Sequence, residues 1–210
     1  MASTIQVDKI QDTGGNTILS SNSTGTFTYN GIAASAIDSG TLAIAQGGTG
    51  AATLAAAGLS NTPAFHAYLS SNQTSISGNS NTKVQINTEV LDTDSAYDNS
   101  TNYRFTPQSA GKYFVYANLV GEFDTDKLFI IQSKIFKNGS VVATGNADFA
   151  TDSVTKISQY TSTIVDMNGS SDYVEFYGLL DRYSGGTSTG IFHGASDQET
   201  YFGAYKLIGA

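Results

Sequence analysis

The chain has 210 residues, no cysteine, 13% charged residues and a net charge of −8, from 10 basic and 18 acidic side chains. Without cysteine there are no disulfides, no thiolate metal site and no cysteine nucleophile. The acidic balance speaks against nucleic-acid wrapping, which needs clustered Lys and Arg. No apolar run approaches the roughly 20 residues of a membrane helix, so no membrane insertion is expected. The start, MASTIQVDKIQD, has neither a basic nor an apolar leader region, so no signal peptide is expected. Two histidines, His66 and His193, leave little room for histidine acid–base chemistry. The composition points to a structural or binding protein rather than an enzyme.

The chain divides into two compositions. Of its Phe and Tyr residues only Phe27 and Tyr29 precede residue 63, and of its charged residues only Asp8, Lys9, Asp12 and Asp38 do. Residues 1–62 are therefore poor in core-filling side chains and cannot easily offset their chain entropy alone. Regularly placed apolar residues (Ile5, Val7, Ile10, Ile18, Leu19) favour ordering by association with copies or a partner over a floppy linker. Asp12 to Asn16, DTGGN, is a turn signal. Gly47 to Gly50 breaks the chain, and AATLAAA at 51–57 predicts a short helix stopped by Gly58. A phosphate cradle at these glycines is disfavoured, because no Lys–Ser/Thr pair follows them.

From Pro63 onward the pattern is one of strands. Candidates are Ala64–Leu69, Lys83–Val90, Asn102–Thr106, Tyr113–Phe123, Leu128–Lys137, Ser140–Phe149, Val154–Met167, Tyr173–Leu180, Gly190–His193 and Thr200–Ile208. Turn clusters separate them, and Asn138-Gly139 fits a tight hairpin needing positive φ. No stretch here sustains a helical period. The expected class is all-β: an antiparallel sandwich or jelly roll.

The quoted residues resemble a known family. Tyr97-Asp98, Phe105-Thr106-Pro107, Gly111 and Tyr113 follow the pattern of C1q/TNF-like domains, with Val115 and Ala117 departing from it. Ala64–Leu69 resembles that family's first strand and Tyr201–Ile208 its last. The resemblance implies a ten-stranded jelly roll over 63–210 that assembles as a homotrimer through an aromatic-rich face. Residues 42–51, LAIAQGGTGA, resemble a linker of bacteriophage tail fibres. Residues 3–19 resemble the N-termini of virion-associated proteins of marine and cyanobacterial phages. Together these imply a virion protein. Residues 1–62 would be an extended shaft that anchors to other virion proteins, and 63–210 a C1q-like knob that binds a host-surface glycan or outer-membrane protein. A capsid-attached head fibre or decoration protein and a bacterial surface adhesin are the alternatives.

Candidate sites follow from residue type. Asp92, Asp94 and Asp98, and then Asp124 and Asp126, crowd oxygen ligands of the kind Ca²⁺ takes, though position six counted from Asp92 is Tyr97 rather than glycine. Solvated loop carboxylates are the favoured reading, and no cofactor is expected. His66 and His193 lack a nucleophile context and read as surface or interface residues. Glu89, Glu122, Glu175 and Glu199 could supply a hydrolytic carboxylate pair, which spacing alone cannot establish. Tyr97 and Tyr183 read as exposed loop aromatics and are the receptor-binding candidates.

Overall fold

The computed structural model describes residues 9–21, 27–29, 57–123, 126–150, 154–183 and 188–209. The chain forms two compact units, Met1–Thr53 and Leu54–Ala210. The boundary lies ahead of the composition change at 62/63, because residues 61–63 are tied to the last strand of the second unit. There, the amide of Lys206 donates to the carbonyls of Asn61 and Pro63, both at 3.2 Å.

In the first unit, β1 (Lys9–Gln11), β2 (Thr17–Ser21) and β3 (Phe27–Tyr29) form an antiparallel sheet in chain order. DTGGN makes the turn between β1 and β2, as its residues predict. Asp12 Oδ1 accepts from the amides of Gly14 (2.9 Å) and Asn16 (2.8 Å). The hydrogen bond from the Asn16 side chain, then that from its amide, hold the Asp12 carboxyl below its ordinary pKa. Gly47–Gly50 and residues 51–56 of the expected helix lie outside the described residues. Ala57 and Gly58 form a turn.

The described residues of the second unit form thirteen strands: β4 (Ala64–Tyr68), β5 (Gln73–Ile76), β6 (Thr82–Lys83), β7 (Thr88–Asp92), β8 (Tyr97–Asp98), β9 (Arg104–Phe105), β10 (Gly111–Phe123), β11 (Leu128–Lys137), β12 (Ser140–Asp148), β13 (Lys156–Met167), β14 (Val174–Arg182), β15 (Gly190–Phe192) and β16 (Tyr201–Lys206). β10 organises the first sheet. One edge pairs with β13 from Gly111↔Met167 to Glu122↔Lys156. Its other edge carries β16 and β15 end to end, followed outward by β4 and β7, and by β5. The second sheet runs β12–β11–β14–β9–β8, with β6 also on β14. All pairings are antiparallel, which leaves each sheet one face for the core and one for the outside.

The core lies between the sheets. Period-two alternation sends Tyr113, Val115, Ala117 and Leu119 of β10 inward, facing Ile131 and Ile135 of β11 and Phe176 and Leu180 of β14. Phe105 and Tyr113 of the resembled motif are both fully buried and meet edge to face at 5.7 Å. The β11–β12 hairpin turns at Asn138 (φ 50°) and Gly139 (φ 79°), the left-handed pair a two-residue turn requires.

Two departures have physical causes. The run Lys83–Val90 alternates as expected, yet it crosses between sheets: β6 pairs with β14, and β7 with β4. Between them Val84 and Ile86 are fully buried, and the Gln73 side chain substitutes for a ladder partner by bonding Lys83 O (3.0 Å) and Gln85 N (2.9 Å). β5 lies in a polar stretch whose single buried residue is Ile76, so it carries no alternation to read.

Ser133 is buried amid this core, opposite Gly145 of β12 and Gly178 of β14. Its hydroxyl has no hydrogen-bond partner among the described residues. An unpaired buried polar group is a cost, so Ser133→Ala is expected to stabilise the fold by about 1 kcal/mol. Urea unfolding at fixed protein concentration checks this.

Candidate functional site

The outer face of the first sheet is aromatic. On β10, the residues between the core positions are Phe114, Tyr116 and Asn118, and these point away from the core. Register sets Phe114 between Tyr205 and Ile164, Tyr116 between Gly203 and Ser162, and Asn118 between Tyr201 and Tyr160. Gly203 in turn faces His66 of β4. The result is a continuous layer of rings: Phe114–Tyr116 at 6.0 Å, Phe114–Tyr205 at 5.6 Å, Tyr116–Tyr201 at 6.2 Å and His66–Tyr201 at 5.5 Å.

Gly203 makes the centre of this layer possible. A Cβ there would stand 2.4 Å from Cζ and the hydroxyl of Tyr116, so the ring lies over the glycine. It thereby reaches His66, whose Nδ1 is 3.0 Å from the Tyr116 hydroxyl, while Nε2 is 3.0 Å from Gln198 Oε1. Burial, then neighbouring tyrosines, push the Tyr116 hydroxyl pKa up, and burial does the same at Tyr201. The layer stays uncovered at its rim: Ile164 is 58% exposed, Tyr160 46% and Tyr205 36%.

Farther along β10 the same face turns charged. Glu122 Oε2 lies 2.5 Å from His193 Nε2, Glu199 Oε2 lies 3.9 Å from His193 Nδ1, and Lys156 Nζ bonds Glu199 at 2.9 Å. Asn118 joins the halves, donating to Glu199 O (2.7 Å) and accepting from Ser158 Oγ (2.7 Å). Of the four glutamates considered for hydrolysis, Glu122 and Glu199 thus meet around His193. Glu175 is buried on the second sheet and paired with Lys83, and Glu89 lies on β7, where burial, then Asp92, raises its pKa.

The acidic loops hold themselves together. Asp92 accepts from the amides of Ala96 (3.1 Å) and Tyr97 (2.9 Å). Asp98 accepts from the amides of Ser100, Thr101 and Asn102 and from the Asn102 side chain. The amide of Thr101 is the chief cause that holds Asp98 far below the ordinary carboxylate value. Asp94 stands beside them, Asp126 accepts from the amide and hydroxyl of Ser188, and Asp124 lies outside the described residues. Among the described residues no three His, Cys, Asp or Glu side chains gather into a set that could hold a metal ion.

The depressed Asp98 pKa gives a pH prediction. A lowered folded-state pKa contributes stability that is present above the unfolded value near 3.8 and is lost as pH falls through the folded one. Asp98→Asn is expected to cost about 1 kcal/mol at neutral pH and to flatten the loss of stability below pH of about 4. Denaturant midpoints measured across that range test both.

Tyr97 requires a correction. It is not an exposed loop residue: it is 6% exposed, stacks on Phe65 at 4.5 Å and 8°, and donates its hydroxyl to Ile86 O at 3.0 Å. Short strand β8 turns it inward against Phe65 of β4 and Phe202 of β16, and that burial raises its pKa far above normal. It is therefore not a surface available to a receptor. Tyr183 is exposed as expected, just past β14, and meets Phe129 edge to face at 6.1 Å. Sequence reading did not single out Phe129. Its signal was an apolar residue next to the inward Leu128, on the wrong parity for the core.

No protein-family model and no curated protein sequence matches the chain. Solved structures are similar in fold. The Eiger TNF structure from S. frugiperda superposes with a TM-score of 0.50 at 10% identity, covering 70% of this chain and 93% of that one. Murine APRIL gives 0.49 at 13% identity, over 69% and 98%, and the zebrafish complement 1qA globular domain gives 0.48 at 14%, over 69% and 96%. The two antiparallel sheets of the second unit thus form a C1q/TNF-like jelly roll.

Proposed function

We propose that this protein is a non-enzymatic bacteriophage fibre protein whose C-terminal jelly roll associates into a homotrimer through the aromatic sheet face. The trimer presents its outer loops to a host-surface glycan or outer-membrane protein. Residues 1–62 attach it to other virion proteins. The observation that carries the reading is the ring layer of His66, Phe114, Tyr116, Tyr201 and Tyr205 with the exposed Tyr160 and Ile164 at its rim. A single copy leaves this layer facing water, and large exposed apolar patches mark interaction surfaces. A symmetric assembly covers the same patch on every copy.

The number three and the virion setting rest on the resemblances of Phe105–Tyr113 and of residues 3–19 and 42–51. Mechanistically, binding is multivalent: several weak sites on one knob act together without a deep pocket in any copy. Immunogold labelling of purified phage particles with antibody against residues 63–210 tests the setting. Gold on tails supports a tail fibre. Gold on heads replaces that reading with a capsid decoration protein. Absence of gold from particles that adsorb overturns the virion assignment.

A further inference from the structure

We infer that the cavity lined, among the described residues, by Phe129, Asp181, Arg182 and Tyr183 is a binding site for a neutral sugar unit. The inference deepens the adhesion reading above by naming a ligand class and a place. Its geometry stands independently of how many copies assemble.

The cavity is about 360 Å³, the lower part of the range that holds small ligands. Phe129 is 39% exposed and Tyr183 36%, and their rings stand edge to face, giving two differently oriented apolar surfaces. Neither ring is on a loose tether. Phe129 sits in β11, with its carbonyl accepting from Phe149 N at 2.9 Å, and the amide of Tyr183 donates to Lys127 O at 2.8 Å. Pre-ordered aromatic side chains lose little entropy on binding. Such rings offer flat faces to the C–H side of a pyranose.

The polar groups are matched to hydroxyls. Arg182 is fixed by its Nη1 donating to Ser188 O at 2.9 Å, and the rest of its guanidinium fork carries further donors. Asp181 Oδ1 accepts from the Arg182 amide at 2.9 Å, and Oδ2 has no partner among the described residues. An acceptor and a donor side by side suit adjacent hydroxyl groups, each of which both gives and takes a proton. The carboxylate and guanidinium cancel in charge, and the chain as a whole carries −8, so an anionic ligand is disfavoured at this place.

The test is saturation-transfer NMR on the full chain. The probes are methyl galactoside, methyl glucoside, methyl mannoside and N-acetylglucosamine at millimolar concentration, with sialic acid as an anionic control. The expected result is transfer to the ring C–H protons of at least one neutral probe. Phe129→Ala and Tyr183→Ala should each weaken that binding about tenfold, Asp181→Asn should weaken it, and Tyr183→Phe should retain it. Circular dichroism verifies that each variant is folded, and Tyr183→Phe with Asp181→Asn keep the test decisive if an alanine variant is not. Three results would overturn the inference: no transfer to any neutral probe, transfer unaffected by the substitutions, or preference for sialic acid. The solution mass and particle labelling do not depend on this cavity, so its failure leaves the fibre reading standing, and the converse holds.

Discussion

Phe202→Ala is expected to cost about 3–5 kcal/mol, the range for truncating a buried phenylalanine. Phe202 is fully buried on β16 and touches aromatic rings from both sheets. Phe65 meets it edge-on at 5.0 Å and Tyr97 at 6.2 Å, while Phe176 of the opposite sheet stacks on it at 5.8 Å. Removing the ring opens a cavity where the sheets are joined, and the neighbours are themselves rings that cannot fill it by bending. Against a total domain stability of about 5–15 kcal/mol, that loss takes much of the fold. Urea unfolding followed by circular dichroism measures it, at one protein concentration because association adds to apparent stability. Phe202→Leu should recover most of the loss. A cost for alanine below about 1 kcal/mol would mean that Phe202 does not join the sheets.

Tyr116→Glu is expected to convert the assembled protein to single chains while leaving the jelly roll folded. Tyr116 lies at the middle of the outer face, over Gly203, bonded to His66 and in ring contact with Phe114 and Tyr201. In a symmetric assembly every copy would bury the new carboxylate among the rings of Phe114 and Tyr201, with the His66 imidazole beside it. The effective penalty is several kcal/mol per ion. In the separate chain the same carboxylate faces water, so the core defined by Tyr113, Val115 and Ala117 is undisturbed. Tyr116→Phe loses the hydroxyl contact with His66 but keeps the apolar surface, and should stay assembled. Light scattering of the variants beside their circular dichroism spectra separates loss of assembly from loss of fold.

The strands were legible because alternation is a local property. Tyr173-Val174-Glu175-Phe176 and the Asn138-Gly139 turn announce β14 and the β11–β12 hairpin without reference to anything distant. Lys83–Val90 shows where locality ends. Its buried Val84 and Ile86 read as one strand, but the partners lie on different sheets, so the ladder breaks while the alternation continues.

The outer face was half legible. Tyr113 to Tyr116 is apolar at both parities, which signals a strand buried on both sides. Which side meets the core depends on β14 and β11, far away in sequence. Tyr97 misled for the same reason: its neighbours Asp92, Asp94 and Asp98 are those of a loop, and its burial comes from Phe65 and Phe202. The aspartates themselves were visible as an acidic cluster. That the oxygens of Asp92 and Asp98 are taken by the amides of their own loops is a matter of backbone path, which residue type does not reveal.

The most direct test of the central claim is the mass of the purified chain in solution, measured by light scattering over a dilution series. Association through the aromatic face predicts a species of three times the 22.0 kDa chain that persists on dilution and is abolished by Tyr116→Glu. A single-chain mass at every concentration, with Tyr160 and Ile164 left in water, would contradict it.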